Sequence, residues 1–415
     1  MKKLFLILFA FGLTLFAQTS QKLIKENTLN VYVDCSGCDL DYLKEKIEFV
    51  NFVRDRKDAD VHILFSSQVT GGGGKKVSLF FIGLNRFQNS NDTLFYITDK
   101  DDTEDTERSK MQRVIKLGLI KYVAKTPISE NIDIKFIKSV ESKEKEKVTD
   151  EWNFWVFNSK VNGFLNGSEN TKYYFFYGNI SASRVTEELK LNFRIYGNYN
   201  EQNFTYNDIV TKSIQRRYGF SAAVIKSITD HWSVGFWSGI SSADFNNLKL
   251  SFRLSPGIEY NVFPYSLSNS KQFRIGYYLN GNRNEYYEET IYFKTKETLF
   301  NHSLKVSVNF IQPWGSIDIS VSGSNYFHDF SKYSVNTNVD LNLRLIKGLS
   351  LNLRGGYSKV NDQLYLPKRG ATKEEVLLQQ RELETQYRFW GSIGFSYTFG
   401  SIYNNIVNPR FGNYF

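Results

Sequence analysis

The chain has 415 residues, among them 35 Phe, 26 Tyr and 6 Trp but only 6 Pro, and its formal net charge is +9. This aromatic content excludes an intrinsically disordered chain, and the scarcity of Pro excludes a collagen-like one. The two Cys are too few for a disulfide-stapled scaffold. Beyond the N-terminal segment, no apolar run reaches the roughly 18 residues that a transmembrane helix needs.

The N-terminal segment has the three parts of a secretory signal peptide. Residues 1–3 are positively charged, residues 4–16 are apolar, and Ala17 is a small residue at the expected cleavage site. The alternative is an N-terminal membrane anchor, which is disfavoured because the apolar stretch is too short to cross about 30 Å of hydrocarbon. We therefore expect residues 1–17 to be a signal peptide and the rest of the chain to be exported.

Residues 18–138 alternate between strand-like and helix-like patterns. Apolar, strand-like runs occupy residues 30–33, 59–65 and 77–84. Two amphipathic helical patterns are formed by Leu40, Leu43, Ile47 and Val50, and by Met111, Ile115, Leu119 and Tyr122. Because each helix needs a sheet face to cover, this region is predicted to be a small α/β domain. A charged linker at 139–150 follows, where Lys and Glu alternate without an apolar face.

From residue 151 onwards apolar and polar residues alternate strictly, and the pattern keeps returning. In residues 248–262 every even position is apolar and every odd position is polar or small. Such strands have one apolar and one polar face, and short links alternate with longer ones such as 201–212, 286–297 and 361–386. We therefore expect a transmembrane antiparallel β-barrel of about 12 strands over residues 151–403, with a C-terminal tail at 404–415. The alternative is a soluble β-sandwich with one buried face, which long up-and-down alternation disfavours.

If the apolar face meets lipid, strand parity assigns most charges of this region to the lumen. The basic residues assigned inward are Arg184, Lys190, Arg194, Arg217, Lys249, Arg253, Arg274, Lys305, Arg344, Arg354 and Arg388. The carboxylates assigned inward are fewer, namely Glu259, Asp318 and Asp340. A basic lumen favours small anions in a water-filled pore. The same side chains can instead pair with one another and fill a narrow, closed lumen, and the sequence leaves both outcomes open.

Short motifs in the first region resemble a group of uncharacterised exported proteins of Bacteroidota type. They are FVNFVRDR at 49–56, ADVH at 59–62, TGGGG at 70–74, FIG at 81–83 and LGLIKYV at 117–123. The resemblance implies a periplasmic α/β domain followed by an outer-membrane barrel, and it implies no mechanism. A weaker fold-level similarity to the N-terminal domain of TolB-type periplasmic proteins implies an envelope protein partner for residues 18–138.

Other chemical signals have structural explanations. Cys35 and Cys38 lie between a strand and a helix, and we expect a disulfide in an oxidising periplasm rather than a thioredoxin-like redox pair. The run Gly71–Gly74 lacks the remaining residues of a phosphate-binding loop and is interpreted as a hairpin turn. The acidic residues of 99–107 precede a helix, whose positive end they stabilise, and they lack calcium-loop spacing. The four His show no ligand spacing, so neither a metal site nor a cofactor is predicted.

Two functions remain after these exclusions. The first is an outer-membrane pore or transport protein whose basic lumen takes anionic solutes. The second is a non-conducting anchor whose periplasmic domain recruits an envelope protein. The net positive charge does not indicate nucleic-acid binding, because most of the excess lies in the barrel region, where much of it is assigned to the lumen. Enzymatic activity is not expected, because no nucleophile, base and orienting group are placed together.

Overall fold

The computed structural model describes residues 28–135, 150–207, 209–370, 372, 375, 381–405 and 407. The predicted signal peptide, residues 139–149 of the predicted linker and most of the C-terminal tail lie outside these residues. Of the described helices, none combines the length and the apolar content needed to cross a membrane.

The first region is a two-layer α/β domain. Its five-stranded sheet has the order β2-β1-β3-β4-β5, in which β1 runs parallel to β2 and β3 while β3, β4 and β5 are antiparallel. The strands are β1 (Leu29–Asp34), β2 (Val50–Phe52), β3 (Val61–Val69), β4 (Lys75–Gly83) and β5 (Asp92–Thr98). The helices are α1 (Leu40–Lys46) and α2 (Glu104–Val123), and the side chains of Asp39 and Thr103 cap their N-termini.

The core of this domain lies between the sheet and the two helices. Leu43 of α1 and Ile115 and Leu119 of α2 pack against Ile63 and Phe81 on alternate positions of β3 and β4. The other sheet face, which carries His62, Leu64 and Ser66, is turned away from the helices because successive side chains of a strand point to opposite sides. That second face contacts the remainder of the chain.

The second region is a twelve-stranded antiparallel sheet in which each strand pairs with its sequence neighbours. The strands are β6 (Trp155–Gly167), β7 (Thr171–Val185), β8 (Leu189–Tyr206), β9 (Ile209–Ser227), β10 (Trp232–Ala243), β11 (Leu248–Asn261), β12 (Lys271–Tyr286), β13 (Lys296–Gln312), β14 (Gly315–Tyr326), β15 (Asp329–Ile346), β16 (Leu349–Val360) and β17 (Tyr387–Tyr397). The number of strands agrees with the prediction. Within the described residues, β6 and β17 are not hydrogen-bonded to each other, so the sheet is not closed.

The alternation gives this sheet two distinct faces. One face exposes large apolar side chains along every strand, as at Phe236, Ile240, Leu250 and Leu279. Pro256 belongs to this face, opposite Phe236 of β10, and the pairing between β11 and β12 is interrupted at residues 255–256 without a shift in register. Pro lacks a backbone N–H, so the interruption falls where that donor is missing.

The two ends of the sheet differ in one connection. At one end, which we call the short-link end, four links have two to four residues, namely 186–188, 228–231, 313–314 and 347–348, and the fifth, 262–270, has nine. The opposite end also has four links of two to four residues, 168–170, 207–208, 244–247 and 327–328, and one of nine, 287–295, but it carries in addition the 26-residue link 361–386. The predicted alternation of short and long links is therefore limited to this one long link. Residues 201–212, predicted to be a long loop, instead prolong β8 and β9, which pair up to Tyr206 and Ile209. Cross-strand pairs, such as the salt bridge between Lys212 and Glu201, stabilise this extension in spite of its polar composition.

Candidate functional site: the polar face and its two ends

Strand register decides which side chains share the polar face of the twelve-stranded sheet. Arg194, for example, lies directly opposite Ser181 and Ser221, while its neighbour Ile195 is exposed on the apolar face. By the same reasoning the polar face carries nine of the eleven predicted basic residues. They are Lys190, Arg194, Arg217, Arg253, Arg274, Lys305, Arg344, Arg354 and Arg388.

The register corrects the assignment of Arg184. Its cross-strand partners are Trp155 and Leu191, and Leu191 shares its face with the exposed Ile195. The guanidinium donates to the backbone oxygen of Asn153 at 2.9 Å and to its side-chain oxygen at 3.1 Å. Arg184 therefore lies on the apolar face, at the strand end, where a long side chain can reach a polar partner.

The assignment of Lys249 is corrected by a β-bulge. The register shifts between Leu248 and Leu250, so the alternation that was counted from the sequence breaks at Lys249. Its ammonium is 2.7 Å from Glu285 Oε1, and Glu285 lies opposite Leu250 on the apolar face. A bulge leaves no mark in the apolar–polar pattern, which is why parity alone misplaced this residue.

The basic residues of the polar face fall into two groups. In the first group, Arg354 Nε lies 3.1 Å from Asp340 Oδ2, Arg344 pairs with Asp34, and Arg388 pairs with Glu382. In the second group, which has six members, no carboxylate of the described residues lies within salt-bridge distance. Two of the six have another partner, since Arg217 lies over the Tyr196 ring and Arg253 donates to Asn282 Oδ1 at 3.1 Å. We call the other four the unpaired cations, namely Lys190, Arg194, Arg274 and Lys305. A group of like charges without counter-charges attracts anions, more strongly where water is partly excluded.

At one end of the polar face, Asp34 connects the α/β domain to the sheet. Its carboxylate accepts from Arg344 of β15 and from His62 Nε2, the latter at 3.1 Å. Burial alone would raise the pKa of Asp34, but the bonds from His62 and Arg344 outweigh it and hold that pKa below its ordinary value. Tyr32 packs under the Arg344 guanidinium at 5.7 Å, and burial raises the pKa of its hydroxyl. We call this cluster the Asp34 latch.

Further contacts of the domain are spread over several strand ends. Lys347 Nζ is 2.5 Å from Asp58 Oδ1, and the Gly348 N–H donates to Asp55 Oδ2 at 2.8 Å. Gln68 donates to Ser268 Oγ at 2.9 Å in the link after β11. These positions lie far apart in the strand order, so the domain extends across the short-link end rather than touching one strand.

Two more contacts tie the domain to the ends of the twelve-stranded sheet. Gly71, in the β3–β4 turn, lies against Val185 of β7 so closely that an added Cβ would be 2.8 Å from Val185 Cβ. Arg54 N–H donates to the Ile402 oxygen at 2.9 Å, so the segment after β17 runs beside the edge strand β2. Together with the contacts above, they place the domain over the ends of β7, β11, β12, β15 and β16.

At the opposite end, the link 361–386 folds back over distant strands. Arg381 binds Glu288 in the link after β12, with Nη2 2.6 Å from Oε1, and this bond is the main cause that lowers the pKa of Glu288. Glu382 accepts from Tyr365 at 2.7 Å and also binds Asn246. Because the link leaves β16 and contacts the ends of β10 to β12, about half-way along the strand order, it crosses this end of the sheet. We call it the crossing loop.

Cys35 and Cys38 are joined in a disulfide between β1 and α1. Cys35 lines a cavity of about 670 Å³ between the domain and the polar face, next to Asp34 and Arg344. The sequence reasoning missed the functional neighbours of this pair, Asp34 and His62. Asp34 ends a strand beside Cys35, but its partner Arg344 is 310 residues away, and no local pattern connects them.

The remaining sequence signals have local roles. Gly71–Gly74 forms the turn between β3 and β4, and the acidic residues include Asp102, which binds Lys110 of α2 with a 2.5 Å ion pair. The buried His62 binds Asp34 in the latch, and His302 Nδ1 lies 3.0 Å from the Tyr277 hydroxyl oxygen. Across the described ranges, no group of three or more His, Cys, Asp or Glu is arranged to hold a metal ion.

Comparisons with known proteins find similarity in structure only. No protein-family model matches the chain, and no curated protein matches it. A NanC porin structure is 11% identical, with a TM-score of 0.28, and the match covers 58% of this chain and 99% of the porin. The translocator domain of the autotransporter NalP from Neisseria meningitidis is 8% identical, with a TM-score of 0.23, covering 59% of this chain and 87% of that domain.

Proposed function

We propose that this chain is an outer-membrane β-barrel protein that admits small anionic solutes to a basic lumen, with the α/β domain as a gate on the periplasmic side. The observation that carries the proposal is the group of unpaired cations on the polar face of a sheet whose other face is apolar. The polar face would line the lumen, and the unpaired cations would raise the local concentration of anions there.

The membrane location is supported by the apolar face itself. Phe236, Ile240, Leu250 and Leu279 keep 43–48% of their surface exposed, on neighbouring strands. Complete burial of one such side chain stabilises by roughly 1.5–3 kcal/mol, so an apolar face repeated over twelve strands is costly in water. In lipid the same face is removed from water. Aromatic residues at the strand ends suit the membrane–water interfaces, namely Trp152, Trp232, Trp314 and Tyr387.

The orientation is supported by the position of the crossing loop. Outer-membrane barrels have short periplasmic turns and longer extracellular loops, and the 26-residue link 361–386 lies at the end opposite the α/β domain. The α/β domain contacts the short-link end, through Lys347, Gly348 and Ser268. The domain would therefore lie in the periplasm and the crossing loop outside the cell.

The pore function is tested by conductance of the purified full chain in planar bilayers. We expect anion-selective steps in a salt gradient, and a weaker preference for anions in Lys190→Gln/Lys305→Gln, which removes two unpaired cations. Lys226→Gln/Lys271→Gln is the matched control, because it removes the same charge from the apolar face. The absence of steps in both the wild type and an Asp34→Asn variant, or selectivity for cations, would contradict the proposal.

A second function is favoured by the coverage of both ends of the polar face. The domain extends over one end and the crossing loop over the other, as expected of a non-conducting anchor that recruits an envelope protein through its periplasmic domain. Crosslinking in the native envelope distinguishes the two functions. A closed barrel that crosslinks one partner through residues 28–135 supports the anchor, whereas conductance with no crosslinked partner supports the pore.

A further inference from the structure

Three glycines shape the wall of a cavity on the polar face, near the domain. Gly235 of β10 lies directly opposite Gly257 of β11, and Gly276 of β12 lies opposite Glu259, two positions along the same face from Gly257. An added Cβ would lie 2.3 Å from the Trp237 ring at Gly235, and 2.5 and 2.7 Å from the Tyr278 side chain at Gly257 and Gly276. The two aromatic rings therefore rest on backbone that carries no side chains, which keeps them against the wall and leaves space in front of them.

Charged groups converge on the same space. The cavity has a volume of about 330 Å³ and is lined by Lys190, Arg274 and Lys305 as well as by Glu259. Three cations and one carboxylate leave an excess of positive charge. Glu259 already accepts from Tyr265 at 3.0 Å, and no salt bridge joins it to any of the three cations within the described residues.

One of these cations has an unused buried donor. Arg274 Nε is buried and has no hydrogen-bond partner among the described residues. An unpaired buried donor is costly, and a guanidinium presents its donors in a planar fork that matches a carboxylate or a phosphate. The orphan donor therefore points to an anionic group as the missing partner.

We propose that this cavity is a binding site for a small ring-bearing organic anion, whose carboxylate binds Arg274 and Lys305 and whose ring lies against Trp237 and Tyr278. A pocket of aromatic walls with a few convergent polar groups is the usual composition of a small-molecule site, and this volume is near the lower limit of about 300 Å³ for such sites. The proposal rests on the proposed function and names the solute class of the same basic lumen.

The location of the cavity adds a consequence for transport. Lys190 lies opposite Val185, the residue against which Gly71 of the α/β domain packs. The bound anion would therefore be held next to the domain, in the part of the lumen from which a solute would leave for the periplasm.

Calorimetric titration of the purified full chain tests the site. The probes are glucuronate and benzoate, which carry a carboxylate on a sugar and on an aromatic ring, with glucose and acetate as single-feature controls. We expect saturable binding of at least one ring-bearing acid, about tenfold or more tighter than acetate and glucose, because both the charge and the ring contribute. The stronger of the two acids identifies the ring.

Variants show whether the binding occurs in this cavity. Arg274→Met and Lys305→Met should each weaken the binding by about tenfold or more, since each removes a charge-assisted hydrogen bond. Lys226→Met, on the apolar face, should leave it unchanged, and heat-modifiable gel mobility identifies variants that fail to fold. Block of the wild-type current by the same acid gives a second readout.

Several outcomes would overturn the site. They are no saturable binding of either acid to the wild type, equal binding of acetate, or equal loss in Lys226→Met. Anion-selective conductance without such binding would remove this inference and leave the proposed pore function intact. Binding that is lost in Arg274→Met, with no conductance, would instead remove the pore and keep the site.

Discussion

Whether a charged residue on this sheet is neutralised depends on the residues that lie opposite it on the neighbouring strands. Arg354 is neutralised by Asp340, but Arg274 and Lys305 face Ser307 and Gly276, which carry no charge. The face of the sheet on which a side chain lies could be predicted from the sequence for most positions, because side chains alternate between the faces along each strand. The prediction was wrong at Lys249, where a bulge shifts the alternation, and at Arg184, whose side chain lies on the apolar face and reaches Asn153.

The role of Asp34 could not be predicted from local sequence patterns, because its partner Arg344 is 310 residues away. Asp34→Asn should loosen the domain from the sheet, because it removes the charge that Arg344 and His62 share. Loss of a charged hydrogen bond costs about 1.5–3 kcal/mol, so amide exchange in segments 52–56 and 344–350 should be about tenfold faster or more at pH 7. Hydrogen exchange with mass spectrometry measures this, and Asp92→Asn, at an exposed ion pair of 3.9 Å, is the control. Unchanged exchange would show that the latch does not hold the domain.

The pH dependence of the Asp34 latch follows from the lowered pKa of Asp34. A carboxyl whose pKa is lower in the folded state stabilises that state fully above its ordinary pKa, and the stabilisation is lost as the pH falls through the folded value. The Asp34 latch should therefore hold from neutral pH down to about pH 4 and loosen below it. Hydrogen exchange of the amides in 344–350, corrected for the intrinsic exchange rate at each pH, follows the docking. A domain that detaches between pH 7 and pH 5 would contradict this assignment.

At the scale of elements, helix α2 is positioned by one close approach. A Cβ on Gly118 would lie 2.1 Å from Phe81 Cζ of β4, so Gly118→Ala should separate the helix from the sheet. Overpacking of this kind costs about 1–3 kcal/mol, more than the ~1 kcal/mol that Ala contributes as a helix former. Urea unfolding of the full chain, monitored through hydrogen exchange of the β4 amides, should show the loss of stability. Gly72→Ala is the control, because the nearest atom to its Cβ is 4.0 Å away.

The position of the crossing loop in the chain could be predicted from the sequence, but its contacts could not. Its length and polarity predicted a long link after residue 360, whereas its attachment depends on Glu382, which contacts residues as distant as Asn246. Glu382→Ala should release the loop and speed tryptic cleavage after Arg369. Glu289→Ala is the matched control, since its ion pair with Lys368 is exposed and such pairs contribute about 0–1 kcal/mol. Equal cleavage of both variants would show that Glu382 does not hold the loop.

At the scale of the whole molecule, the twelve strands and the change from an α/β region to a β region could be predicted, because composition and alternation are local properties of the sequence. The docking of the domain could not, since it joins residues of β1 and β3 to strand ends about 200 to 310 residues away. The edges of the large sheet raise the remaining question. β6 begins at the short-link end and β17 ends there, so the two edge strands run antiparallel, as ring closure requires.

Closure of the ring is the expected state in a membrane. Each unpaired backbone N–H or C=O costs several kcal/mol in hydrocarbon, so two open edges of more than ten residues would be prohibitive there. Cysteine pairs between Ser159 of β6 and Gly391, Ile393 or Phe395 of β17 place both thiols on the apolar face. We expect at least one of these pairs to form a disulfide in membranes, seen as a shift in gel mobility on reduction. Ser159→Cys with Ser392→Cys, on the polar face, should not crosslink, because neighbouring strand positions point to opposite faces. If none of the three pairs crosslinks, the seam between β6 and β17 is open to lipid, and the lumen of the proposed pore has a lateral exit.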